Sequence, residues 1–394
     1  MHEMDVVNAR VVTPDEVLDG ATVSLRGGRI EAVTVGAARD TPPAGEVYDA
    51  GGRTLVPGFI DLHNHGALGA DFMDGDAEAM RRVRRFLAGR GVTGYLVTTT
   101  SSTAETLAES IDFARELMAA GPDGAQVLGM HFEGPYLNKA LCGMHPSGHC
   151  RPPDPAEYGE WFDSGVVRRM TASLELPGGE ALLTDAVAAG VLLSLGHTTC
   201  SADDVRRWAD GGLRHVTHLY NAMSRATKQG PVRRCGCLEG ALADRRIVAE
   251  VIGDGWHVPE HLFRIAMLCK GGGGVTICSD ATLLTGSAVE GVPTRYGGPD
   301  GQELIVRGGM ATSLDGQMLV GSIATLGEMA PRLLGWLDGD WRAMARILST
   351  NAAGLIGLGD RKGRIQPGYD ADLVLLDEQA NIVQTWVAGA AQID

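Results

Sequence analysis

The sequence has no long apolar run. Its longest, over residues 186–195, falls far short of the roughly 18 residues that a membrane span needs, so no membrane partner is expected. It has no basic block either. Lys and Arg total 34 against 49 Asp and Glu, a net charge of −15, which argues against a nucleic-acid surface. An anionic small substrate is still allowed, because a few local cations override the global field. Disulfide spacing is missing: the seven cysteines are an odd number without a pattern. The opening Met1-His2-Glu3-Met4-Asp5 lacks the basic and apolar regions of a secretory leader. Together these features predict a reducing cytoplasm. The one close cysteine pair, Cys235-Gly236-Cys237, has no second Cys/His pair nearby and reads as loop thiols rather than a metal or redox site. There is no low-complexity tract and no short repeat. A G-x-G-x-x-G fingerprint after the first strand is absent too, which weakens a doubly wound dinucleotide-binding fold.

What is present suits a large barrel with an appended module. The chain has 394 residues, and its 55 glycines suggest many tight turns and close backbone approaches. Residues 21–26 and 29–34 alternate around Gly27-Gly28, a hairpin signal. Residues 371–377 and 382–387 read as strands again. Two β-rich ends around a different middle predict one small β-sandwich built from both termini, residues 1–55 with 356–394. The middle, 56–355, alternates strand and helix. Candidate strands lie at 59–62, 95–99, 127–132, 167–174, 192–195, 215–217, 247–252 and 275–278. Helical patterns fall at 77–88, 104–118, 179–189, 202–209 and 259–269. Eight strands alternating with helices predict an α/β fold, a TIM (β/α)8 barrel.

The polar residues then fall into order. His63 and His65 follow the first strand; His131 and Glu133 end the third. His197 follows the fifth, His218 ends the sixth, Asp254 and His257 follow the seventh, and Asp280 follows the eighth. In such a barrel the C-terminal strand ends meet at one mouth, where active sites sit. Singly, each residue has a plain alternative. A lone histidine at a strand end is more often structural, and His131 and His215 are read that way. Asp254 is read equally well as a cap for the helix starting near Pro259. The combination is different. An H-x-H pair projects to one side of an extended segment, and imidazole with carboxylate is the donor set of zinc, iron or manganese sites with an open position for hydrolysis.

The stretches PGFIDLHNHG (57–66), HFEGPYLN (131–138), SLGHT (194–198), THLYNAM (217–223), IGDGWHV (252–258), CSDAT (278–282) and GRIQPGYDADLVLLD (363–377) carry a resemblance over nearly the whole chain. It resembles the N-acetylglucosamine-6-phosphate deacetylases of the amidohydrolase superfamily. The resemblance implies a metal-dependent hydrolase that turns N-acetylglucosamine 6-phosphate into glucosamine 6-phosphate and acetate. It implies that Glu133, His197 and His218 hold the principal divalent metal. His63 and His65, with Glu133 as a bridge, hold a second; some members lack the H-x-H pair and work with one. Zinc is the first choice, with iron, manganese or cobalt as alternatives.

By the same resemblance Asp280 shuttles the proton, and His145 contacts the acetyl carbonyl or sugar hydroxyls. Asn221, Ala222 and His257 meet the sugar phosphate. A homodimer is implied as well, in which a basic residue reaches the neighbour's phosphate. Here the pattern departs: a short turn is replaced by residues 224–237, where Arg234 takes the slot and Arg225, Lys228 and Arg233 are rivals. Residues 283–296 depart as well. Another N-acetylhexosamine 6-phosphate or an N-acyl amino compound is therefore the alternative substrate. A non-catalytic amino-sugar-phosphate binding protein is the remaining reading.

Overall fold

In the computed structural model of the chain, residues 3–13, 15–36, 45–121, 123–296 and 301–392 are described. Met1 and His2 of the leader reading lie outside them. The middle forms eight parallel strands: β1 (Phe59–Asn64), β2 (Val92–Thr99), β3 (Gln126–Glu133), β4 (Val167–Ala172), β5 (Leu192–Leu195), β6 (His215–Val216), β7 (Val248–Ile252) and β8 (Val275–Cys278). Each pairs with its sequence neighbour, in the order of a (β/α)8 barrel. The expected strands are all present, with ends shifted by up to three residues.

The strands are nearly continuous buried runs because helices cover the outer face. Ala77–Ala88 shows why. It buries Ala79, Met80, Val83 and Leu87, one stripe at helical spacing, and Asp76 caps it by accepting from the Ala79 amide. The barrel closes between β8 and β1 with few ladder bonds. The Asp280 amide donates to the His63 carbonyl at 3.0 Å and the His65 amide to the Ala281 carbonyl at 2.9 Å. The buried Asp61 carboxylate adds to this seam, accepting from the Ser279 amide at 3.1 Å, from the Ser279 hydroxyl, and from the His63 amide at 3.3 Å.

The two ends form one sheet. Thr54–Pro57 runs parallel to Glu3–Val12 and antiparallel to Leu373–Leu376, which joins the N-terminal strands to the C-terminal ones. Val17–Arg26 and Arg29–Val35 make the expected hairpin, and Gly27 and Gly28 supply its positive φ values of 57° and 78°. This module has its own core, including Val6, Val23, Leu55, Leu373 and Trp386.

Two features were not expected. Within residues 224–237, Thr227–Gln229 and Val232–Arg234 pair as an antiparallel hairpin, fully exposed, rather than a plain loop. After β8, Thr294–Tyr296, Gln302–Arg307 and Met310–Ser313 form a small antiparallel sheet. Its Tyr296, Leu304 and Val306 pack with Met144, Leu283 and Val320, beside the barrel mouth. No described helix is long and apolar enough to cross a membrane. Cys235 is exposed and Cys237 buried, both as free thiols. Neither belongs to a metal-ligating cluster among the described residues.

Candidate metal centre and active-site pocket

The strand ends deliver their side chains to one point. His63 and His65 leave the end of β1 on the same side, both fully buried. Glu133 is the last residue of β3. His197, His218 and Asp280 lie just past β5, β6 and β8, with φ of 50°, 31° and 49°. Non-glycine residues in that region carry backbone strain, which persists where surrounding structure enforces it. Here the strain turns each chain sharply at the mouth.

Two groups of donors share Glu133. Its Oε1 lies 3.2 Å from both His197 Nε2 and His218 Nε2, which are 3.2 Å from each other. Its Oε2 lies 3.3 Å from His63 Nε2 and from His65 Nε2. Those two nitrogens are 3.2 Å apart, and Asp280 Oδ1 is 3.4 and 3.5 Å from them. Donors about 2.0–2.1 Å from a tetrahedral zinc stand about 3.3–3.4 Å from one another, so both groups have the edge lengths of a metal cage. The tautomer agrees. His197 Nδ1 donates to the Leu141 carbonyl at 2.8 Å, which leaves its Nε2 lone pair facing a carboxylate oxygen. A cation between those two electron-rich atoms would satisfy both. The residues present therefore fit a divalent metal.

The local field is strongly mixed. Burial penalises a charged His63, yet Glu133 and Asp280 outweigh it and hold the ring well above its usual range. His65 is pushed up to about 9 against its own burial by Asp280 and Glu133. The carboxyl of Asp280 sits below its usual range: burial opposes ionisation, but His63 and His65 prevail. A divalent cation answers the same negative field that draws protons onto these rings.

His145 differs. Its Nδ1 accepts from the Ser101 amide at 3.0 Å, so its proton sits on Nε2, 3.2 Å from Glu133 Oε2. Burial lowers its pKa to about 4. It is a neutral donor aimed at the centre.

Glu133, His145, His197, His218 and Asp280 line a cavity of about 570 Å³ that also takes in Asn221, Ala222 and His257, while His63 and His65 lie behind its wall. Ala222 has φ 46°, and its carbonyl accepts from the Thr198 amide at 3.1 Å. His257 Nδ1 bonds Asp254 Oδ2 at 2.8 Å. Asp254 does not cap the following helix, whose N-cap is Pro259. Instead its Oδ1 accepts from the Trp256 and His257 amides. Arg234, Arg225, Lys228 and Arg233 are not among the lining residues; Arg234 and its neighbours ride on the exposed hairpin. His131 and His215 are interior braces, bonded to Thr98 and Thr171 and to Ser194.

Sequence reasoning missed three residues. Tyr296, from the small sheet, lines the cavity and stands edge-on to His65 with ring centroids 5.5 Å apart. Its signal was the unusual stretch 283–296. Arg169 and Glu250 are both fully buried beneath the centre. The signal of Glu250 was a charge in the middle of an otherwise apolar strand, whereas Arg169 stands beside Arg168 and carried no such signal.

The amidohydrolase family matches residues 54–391. An N-acetylglucosamine-6-phosphate deacetylase of Bacillus subtilis (strain 168) is 32% identical over 384 residues, covering 96% of this chain and 94% of the relative. An N-acetylgalactosamine-6-phosphate deacetylase of Escherichia coli O157:H7 is 26% identical over 385 residues, covering 96% and 97%. Among solved structures, a mutant N-acetyl-D-glucosamine-6-phosphate deacetylase from Mycobacterium smegmatis in complex with N-acetyl-D-glucosamine-6-phosphate superposes with a TM-score of 0.89. It is 27% identical and covers all of both chains. With the barrel, its mouth and these likenesses in agreement, the chain belongs to the amidohydrolase family.

Proposed function

We propose that the chain hydrolyses the amide of N-acetylglucosamine 6-phosphate to glucosamine 6-phosphate and acetate. The observation that carries this is the shared Glu133 between two cage-like donor groups, with Asp280 beside them at a cavity of sugar-phosphate size. The relatives' activity supplies the substrate class.

Glu133, His197 and His218 would hold one cation; His63 and His65, with Glu133, a second. Zinc suits the donor set best, and iron, manganese or cobalt are close rivals. A divalent cation supplies Lewis-acid polarisation and lowers the pKa of water from 15.7 to about 7. Asp280 takes a proton from the attacking water and returns it to the leaving amine. The water's hydroxyl goes to the acetyl carbon, the C–N bond breaks, and the amine keeps the proton. His145 Nε2–H donates to the carbonyl oxygen as charge builds there. Asn221 and Ala222 meet the sugar phosphate from the loop after His218. His257 joins them, its Nδ1 fixed on Asp254.

Arg234 would serve a neighbouring copy of the chain. The support is its place on an exposed hairpin outside its own cavity. A guanidinium fork suits a phosphate, and a homodimer follows. A reducing cytoplasm suits seven free thiols.

The test is acetate release from N-acetylglucosamine 6-phosphate and from the unphosphorylated sugar, with metal content measured on the same sample. Turnover of the phosphorylated sugar alone is expected. Turnover of neither, with metal bound, would overturn the substrate. A second reading, N-acetylgalactosamine 6-phosphate, is favoured by the Escherichia coli relative and makes the third arm of the assay. Faster turnover there would replace the first reading.

A further inference from the structure

One buried ion pair has no part in this chemistry. Arg169 in β4 and Glu250 in β7 are both fully buried. Arg169 Nη2 donates to Glu250 Oε1 at 2.8 Å, and Nη1 donates to Oε2 and to the Leu62 carbonyl. Such a pair is weak evidence for stability, since well-packed apolar residues often replace it without loss. Its remaining contacts indicate another role. Glu250 Oε1 lies 3.3 Å from His63 Nδ1 and accepts the His218 amide at 3.2 Å. One oxygen thus meets a candidate ligand from each donor group.

With a guanidinium across both oxygens, the carboxylate only accepts. In the neutral ring that a cation would meet, the His63 proton therefore sits on Nδ1, and Nε2 offers its lone pair toward His65, Glu133 and Asp280. We propose that Glu250, held by Arg169, is a positioning residue that fixes His63 as an Nε2 ligand and makes the His63–His65 group able to hold a second cation. This rests on the two-cation reading above. Carboxylates behind ligating histidines set the tautomer and orientation in this way. A metal site of its own is the competing idea, because atoms of His63, Glu250 and Cys278 lie within 4.8 Å of one another. Arg169 argues against it: its fixed positive charge already occupies the Glu250 oxygens.

Two double variants separate the acceptor from the ion pair. Both carry Arg169→Met, so no guanidinium is stranded. One adds Glu250→Gln, which keeps an oxygen for His63 Nδ1–H and the His218 amide; the other adds Glu250→Leu, which does not. Metal per chain is read by elemental analysis across a chelator series, with Tm recorded. Wild type and the Gln variant are expected to hold two ions. The Leu variant should hold the second about 10–100-fold more weakly. Equal retention in both variants overturns the proposal and leaves the two-cation reading standing, and equal loss in both overturns it as well. A wild type that binds one ion overturns both. Should the Leu variant fail to fold, ¹⁵N shifts of the zinc-loaded wild type decide: His63 must carry its proton on Nδ1, and a proton on Nε2 overturns the proposal.

Discussion

The two donor groups around Glu133 are built differently. His197 and His218 stand on strained turns past the ends of β5 and β6, and both line the cavity. His63 and His65 belong to the end of β1 and its first following residue, are fully buried, and are absent from the cavity wall. One group is mounted on bent backbone and faces the cavity. The other is set into the seam where the barrel closes, braced by Asp61 and Glu250. The lesson is that one cluster of donors can be split between a cavity-facing side and a supporting side while one carboxylate meets both.

The sharpest break of that comparison is at Asp280, which stands against His63 and His65 and also lines the cavity. Asp280→Asn should lower kcat by about 10²–10⁴-fold, while elemental analysis still finds metal on Glu133, His197 and His218. Full activity would remove it from the proton path. Next comes a contrast between the groups. His197→Ala should abolish detectable turnover with metal present. His65→Ala should cost one ion and leave measurable activity. Equal collapse of both would mean that the two sides form one indivisible unit.

His145 gives a smaller effect. His145→Phe removes the donor and should cost about 10²–10³-fold in kcat. Its pKa is depressed to about 4, so its neutral form holds above that pH and is lost only as pH falls through it. The kcat/KM profile should then show no limb from this ring between about pH 5 and 9. An acid limb near neutrality that vanishes in the variant would contradict the neutral-donor reading. The mildest test concerns the seam. Asp61→Ala leaves the buried Ser279 and His63 amides without their acceptor and should cost about 1–3 kcal/mol, read as a lower Tm. An unchanged Tm would mean that the seam does not depend on it.

Much of this was legible in the sequence because periodicity is local. The helix Ala77–Ala88 and the strands Leu192–Leu195 and Val275–Cys278 fall where apolar spacing put them. The meeting of these side chains was legible too, since each ends or follows a strand and all strands of such a barrel end at one mouth. The hairpin Thr227–Gln229 and Val232–Arg234 was not, because its short exposed strands carry no alternation of burial. The role of Asp254 also escaped: a carboxylate before a helix reads as its cap, and only the fold showed it gripping His257.

The sequence by itself determined the strand count, the joining of the two termini and which histidines and carboxylates stand at the strand ends, because backbone period and side-chain chemistry are written residue by residue. Only the tertiary structure decided that Glu133 gives one oxygen to each donor group, that Tyr296 closes on His65, and that Arg169 and Glu250 meet below them. Those contacts join residues far apart in the chain, and their geometry is set by how the strands twist and close.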